Sequence, residues 1–126
     1  MIILNFGHSL SESAIKYLSS EYKSIKEVMI PFAIDRKKSI AVEVEKIVEG
    51  RVSKRILSGS QPYLVVLPSL SIGVAYLLTY LHGRVGSFPL VVDLTRNSKF
   101  GVYEVKEILD LQSERDRARL RRKRSK

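Results

Sequence analysis

Cysteine is absent from the 126 residues, so neither a disulfide framework nor a thiolate metal site can form. Histidine occurs only as His8 and His82, and no His-x-x-x-His or Asp-x-Asp arrangement supplements them. No metal and no cofactor is expected. A Gly-x-Gly-x-x-Gly loop and a Walker loop are also missing, which disfavours a conventional dinucleotide or nucleoside triphosphate. No basic leader or cleavage-site pattern stands before Ile2, so no secretory signal is expected and cytoplasm is the default location. One stretch, Tyr63 to His82, could pass for a membrane span. Pro68, Ser69, Ser71 and Gly73 interrupt it, and Ile72 to Leu81 reaches only about half a bilayer. No membrane partner is expected.

The length suits one domain with a real core and leaves no room for a second substrate domain. Net charge is +9, but Glu114 to Lys126 holds eight Lys/Arg against two acids. The chain therefore divides into a body, 1–112, of modest positive charge and a basic tail, 113–126, that can answer to a different partner.

Gln61 to Arg96 reads as one complete strand, helix and strand. Tyr63 to Leu67 is a continuous apolar run, as a parallel strand buried on both faces requires. Ser69 and Ser71 offer helix caps, Ile72 to His82 follows as helix, and Gly83 is the expected left-handed stop. Phe88 to Leu94 is the returning strand. Ahead of this unit come a strand at Ile2 to Phe6, a helix from Ser11 to Tyr22, a strand at Ile25 to Phe32, an amphipathic helix from Ser39 to Arg51 that Gly50 ends or kinks, and a second short helix from Arg51 to Leu57. Phe100 to Val105 reads as an edge strand or as a lead into a last helix, because Val105, Ile108, Leu109 and Leu111 give two apolar turns. Beyond Gln112 the apolar face is lost, so the tail is expected to be transiently helical or disordered. The fold class is α/β: a Rossmann-like, mainly parallel open sheet of four or five strands flanked by helices, with the basic tail appended.

The central helix is apolar around its whole circumference, at Ile72, Val74, Ala75, Leu77, Leu78 and Leu81. One sheet cannot cover every face, so the helix is expected either to pack across a two-fold axis in a homodimer or to lie under other helices of the same chain.

In such a fold, Asn5 to Ser11, Ile34 to Lys38, Ser69 to Ser71 and Thr95 to Asn97 meet at the carboxyl edge of the sheet. Small residues and hydroxyls at helix N-termini, joined by Arg36, Lys37, Lys38 and Arg96, describe a metal-free anion site for a nucleotide or phosphodiester. His8 is the candidate for an active role, against the alternative of a loop-stabilising hydrogen bonder. Gly7, Ser9, Ser69 and Ser71 are candidate ligand contacts, although capping also accounts for the serines. Asn5 is a candidate contact or a buried polar group that satisfies a turn. Arg36 and Lys37 read either as a solvated loop or as phosphate contacts. His82 and Arg84 suit a helix C-terminus, at the opposite end from His8.

Three stretches carry a resemblance over residues 2 to 96: Ile3-Leu4-Asn5-Phe6-Gly7-His8-Ser9-Leu10, Leu67-Pro68-Ser69-Leu70-Ser71, and Leu81 through Pro89, Leu-His-Gly-Arg-Val-Gly-Ser-Phe-Pro. In these the chain resembles the small CRISPR-associated Csx family numbered fifteen, which accompanies type III CRISPR systems. The resemblance implies a Rossmann-like homodimer that binds cyclic oligoadenylate, with cyclic tetra-adenylate favoured, in a cleft lined twice by His8, Ser9, Arg36 and Ser69. It implies either metal-independent ring cleavage, with a ribose 2'-hydroxyl attacking the adjacent phosphate and His8 assisting proton transfer, or sequestration without cleavage. Contacts from His82 and Arg84 at the far end would build a ligand-induced higher assembly. Two rivals stand outside the resemblance: a nucleic-acid-binding module that works through the tail, and a structural dimer with a solvated tail.

Overall fold

The computed structural model describes residues 1–125. Its elements are β1 (Ile2–Asn5), α1 (Glu12–Tyr22), β2 (Lys26–Met29), α2 (Ile40–Arg51), α3 (Lys54–Leu57), β3 (Tyr63–Val66), α4 (Ser71–Val85), β4 (Leu90–Arg96), β5 (Tyr103–Asp110) and α5 (Leu111–Ser125). They form an α/β architecture with one five-stranded sheet in the order β2-β1-β3-β4-β5. The first four strands are parallel and β5 is antiparallel to β4.

Position in the sheet explains strand composition. β3 is central and all four of its residues are buried, whereas β2 lies at an edge and exposes Lys26 and Met29. Alternation splits each inner strand between two cores. Leu4 and Val65 pack with Val44, Val48, Ile56, Leu77 and Leu81 of α2, α3 and α4, while Ile3, Leu64 and Val66 pack with Ala14 and Leu18 of α1. The chain steps from β1 to β2 in one direction and from β2 to β3 and β3 to β4 in the other. Crossovers of one hand must then place α1 on one face and α2, α3 and α4 on the opposite face.

Several local expectations change. α4 runs through Gly83 to Val85, and Gly86 supplies the left-handed stop at φ 95°, its N–H donating to the His82 carbonyl at 2.8 Å. The last turn is held by Arg84, which donates to Glu49 of α2 at 2.7 and 3.1 Å. At the other end of α4, Leu70 occupies the cap position and neither Ser69 nor Ser71 makes a capping bond. α2 continues one residue past Gly50, and nothing crowds that glycine. β2 ends before Pro31, shorter than the apolar run that contains it, and β4 begins after Pro89 and continues past Leu94 to Arg96.

The stretch read as two helical turns is strand β5. A bulge opposite Asp93 and Leu94 leaves Lys106 unpaired, so Ile108 pairs with Val92 and Val105 with Leu94. One inserted residue turns a spacing of two into a spacing of three, and Val105 and Ile108 reach the same core.

α5 is one continuous exposed helix rather than a transient one. Asp110 caps it, with its carboxylate accepting from the Ser113 N–H at 3.0 Å. Acidic residues sit in the first turns and Arg122, Lys123 and Arg124 in the last, which matches the helix dipole. Propensity, cap and charge order stabilise it without an apolar face. Lys126, the last residue of the tail, lies outside the described residues.

Candidate functional site

β1 and β3 are neighbours whose following helices leave to opposite faces of the sheet, so the loops beyond them part and open a crevice. It encloses about 560 Å³ and is lined by Gly7, His8 and Ser9 from the first loop and by Pro68, Ser69 and Leu70 from the second, with Phe32, Leu94 and Tyr103 as further walls.

Asn5 builds the first loop. It is completely buried, and its amide Nδ2 donates to the His8 carbonyl at 2.8 Å and to Glu27 Oε2 at 2.7 Å. Its Oδ1 accepts from the Gly7 N–H at 2.8 Å. Glu27 accepts also from the Leu10 N–H at 3.0 Å, which closes the far side of the loop. Every partner on this list has a fixed donor or acceptor sense, so the orientation of the Asn5 amide is determined. Asn5 therefore lies under the loop and not in the crevice, in line with the turn-satisfying alternative.

Gly7 is required by close approach. A Cβ there would lie 2.8 Å from the Leu67 carbonyl oxygen, so the two loops can touch only with glycine at this position. Gly73 plays a similar part in α4, where an added Cβ would fall 2.5 Å from the Phe32 ring edge. Phe32 packs edge-on against Phe6 with ring centroids 6.0 Å apart, and the pair forms the apolar back of the crevice.

Against this fixed frame, the reactive side chains are exposed and uncommitted. The side chains of His8, Ser9, Ser69 and Ser71 have no hydrogen-bond partner among the described residues. Ser71 stands in the first turn of α4, just beyond the lining residues, where the helix dipole favours negative charge. Arg36 and Lys37 sit on the loop after β2, and Arg96 ends β4, where its guanidinium lies against Gly101. These three cations share the carboxyl edge with the crevice but do not line it. They form no ion pair among the described residues, and the Asp35 carboxylate accepts from the Lys37 N–H at 2.9 Å.

His82 and Arg84 are not brought to the crevice. α4 starts at the carboxyl edge and ends at the amino edge, where the His82 ring packs tilted against Phe88 with centroids 4.4 Å apart and Arg84 is bound to Glu49. Arg84 and then the Tyr80 hydroxyl, at 2.7 Å, hold the Glu49 carboxyl down at about 2. These contacts couple α4 to α2 along one flank. Nearer the start of α4, on the same i, i+4 row as Tyr80 and Arg84, Ile72 and Tyr76 remain exposed in the single chain.

Tyr103 and Glu27 were not singled out by sequence reasoning. Tyr103 opens β5, and its carbonyl accepts from Ser11 Oγ at 2.6 Å, the same hydroxyl that caps α1 by accepting from Ala14. Its side chain is half-exposed at the rim beside Leu94. An aromatic inside the stretch Phe100 to Val105, read as an edge strand or a helix lead, is the available signal, but its distance in sequence from His8 hides the juxtaposition. Glu27 carried no motif at all.

No family model, no curated protein and no solved structure matches the chain. Among the described residues, no three His, Asp or Glu side chains converge closely enough to hold a metal ion. No helix among them is long and apolar enough to cross a membrane. The crevice can thus offer an imidazole, two serine hydroxyls, a helix N-terminus and an aromatic rim to one polar, anionic ligand group, with three cations within the same edge.

Proposed function

We propose that the chain is a type III CRISPR accessory protein of the Csx family numbered fifteen, with a Rossmann-like fold, and that its crevice captures cyclic oligoadenylate, cyclic tetra-adenylate in particular. The observation that carries this reading is the pairing of His8 and Ser9 with Ser69 across the gap between β1 and β3, all uncommitted, beside the half-exposed Tyr103. Serine hydroxyls and imidazole suit phosphate and ribose oxygens, and an exposed aromatic suits an adenine face.

A crevice of about 560 Å³ falls in the range that holds one small ligand and is too small for a ring of four nucleotides. Two copies facing each other across a two-fold axis would match the symmetry of such a ring, and the exposed Ile72 and Tyr76 flank of α4 offers an apolar surface for that pairing. Arg36, Lys37 and Arg96 from both copies would then neutralise the phosphates. Asn5 acts from beneath, as a positioning residue for His8.

Capture is better supported than turnover. Cleavage by an attacking 2'-hydroxyl needs a proton acceptor and stabilisation of the developing charge, and the crevice lining offers His8 and the rim hydroxyl of Tyr103 but no carboxylate, lysine or arginine. The deciding experiment mixes excess protein with radiolabelled cyclic tetra-adenylate in EDTA and follows both retention and product length, with His8→Ala alongside. Intact ring retained by the wild type supports a signal-damping sponge. Linear products lost in His8→Ala would make it a metal-independent ring nuclease, and no retention by the wild type would overturn the reading.

A further inference from the structure

The crevice leaves the most charged part of the molecule unexplained. From Arg115 to Arg124, α5 carries seven Lys/Arg, and every residue from Ser113 to Arg124 is exposed. The helix begins where Asp110 pairs with Leu90 at the start of β4, so it is rooted at the amino edge of the sheet, opposite the crevice. The Phe88 N–H donates to Gln112 at 3.0 Å, and this bond and the Asp110 cap are its anchors to the body. Beyond them it projects into solvent for roughly 20 Å at 1.5 Å per residue.

Six of these seven cations fall in two stripes, with Lys123 between them. At about 100° per residue, Arg115, Arg119 and Arg122 gather on one side, and Arg117, Arg121 and Arg124 gather on the opposite side. Two intrahelical ion pairs, Arg115 with Asp116 at 3.1 Å and Arg117 with Glu114 at 2.6 Å, lie in solvent, where a phosphate can displace the carboxylate at little cost. A flat anionic surface would engage one stripe and leave the other in water. A membrane-surface helix would in addition need an apolar face, and past Leu111 the only large apolar side chain is Leu120. Two opposed stripes instead match a groove with phosphates on both walls, and the major groove of a B-form duplex, about 12 Å wide, admits one helix.

We infer that α5 is a double-helical nucleic-acid-binding element that lies in a groove and grips the backbones on both sides, independently of the crevice. It should bind without sequence preference, since backbone contacts position a protein and carry no base information.

The test uses the full chain and fluorescence anisotropy on a labelled DNA duplex, an RNA duplex and a single strand, with phosphatidylserine-containing vesicles in parallel. Two variants separate the stripes: Arg115→Gln/Arg119→Gln/Arg122→Gln and Arg117→Gln/Arg121→Gln/Arg124→Gln. Glutamine keeps helix propensity, and circular dichroism checks that α5 persists. Wild-type affinity for duplex should fall by about 10³-fold or more between about 50 and 200 mM salt, and each variant should lower the slope of log K against log salt by about 3. Cyclic tetra-adenylate retention should be unchanged in both, which keeps this result separate from that of the crevice. A slope that responds to one stripe only, single strand or vesicles bound as tightly as duplex, or no salt-sensitive binding would each overturn the inference.

Discussion

Replacing Asn5 by Asp changes one NH₂ to an oxygen and tests whether the buried amide holds the His8 loop. The amide donates twice, to a carboxylate at 2.7 Å and to a carbonyl at 2.8 Å. Asn5→Asp keeps the acceptor for the Gly7 N–H but sets oxygen against oxygen at both other contacts. Losing the bond to Glu27 costs about 1.5–3 kcal/mol and the bond to the His8 carbonyl about 1 kcal/mol, and holding the introduced carboxyl neutral costs about 1.4 kcal/mol per pH unit above its free value. The carboxyl held neutral still donates to one partner, so at pH 7, about three units above the free value, the total is about 5–6 kcal/mol, or a fall in Tm of about 20–24 °C for a chain this size. The pH dependence is the sharper signature. A carboxyl between two acceptors has its folded pKa raised above its unfolded value of about 4, so the penalty is small below that value and grows as pH rises. Near pH 4 the protonated group can still donate to one partner, and the fall in Tm should shrink to about 4–8 °C. Differential scanning fluorimetry of wild type and variant at matched pH values reads this difference directly. A Tm loss that stays constant across pH, or is below about 2 °C at neutral pH, would refute the assignment of Asn5 as the buried donor.

The Tyr63 hydroxyl is buried without a partner, and burial pushes its pKa up to about 12. Tyr63→Phe should therefore leave Tm unchanged or raise it by about 4 °C, and a clear loss would show that the hydroxyl is bonded. Because Arg84 and Tyr80 hold the Glu49 carboxyl at about 2 against a usual 4.5, their contribution to stability is present above 4.5 and lost as pH falls through about 2. Glu49→Gln should flatten the acid limb of the Tm profile in that window, and an unaltered limb would show that the cluster is not formed in solution. Gly7→Ala forces a Cβ against the Leu67 carbonyl at 2.8 Å, and should cost about 1–3 kcal/mol and weaken ring retention together. Full retention in that variant would mean that the contact between the two loops does not shape the site.

Where a local pattern had one structural meaning, it could be read from sequence. The continuous apolar run at β3 demanded burial on both faces, and Ser11 caps α1 as its type and position suggest. Alternating strands and helices then gave the mainly parallel sheet, and that sheet order brought Gly7, His8, Ser9 and Ser69 together. Where one pattern had two meanings, the wrong one could be chosen. Val105 and Ile108 are three residues apart in a helix-like spacing that a single β-bulge also produces. Gly83 and Gly86 are equally good helix stops, and the choice between them rests on Glu49, a residue of another helix, holding Arg84. Tyr103 and Glu27 reach the site through pairing and hydrogen bonds to residues distant in sequence, which periodicity does not register.

The distribution of charge separates the two proposed ligand surfaces more firmly than the net value of +9 would suggest. At the carboxyl edge the crevice is lined by no carboxylate, lysine or arginine, with Arg36 and Lys37 on a loop and Arg96 at the end of β4 on the same edge, and any phosphate it holds would be fixed mainly by directional hydrogen bonds from a frame that Asn5 and Gly7 make rigid. At the amino edge a helix without a buried face offers only charge, so its binding must come from counterion release and must fade as salt rises. A directional site loses less to salt than a purely electrostatic one, because screening acts on exposed, separated charges and much less on close hydrogen-bonded contacts. Raising salt should therefore release duplex from α5 before it releases the ring from the crevice. Release of both ligands at the same salt concentration would instead place them on one shared surface, in conflict with the positions of Leu90 and His8 at opposite ends of the sheet.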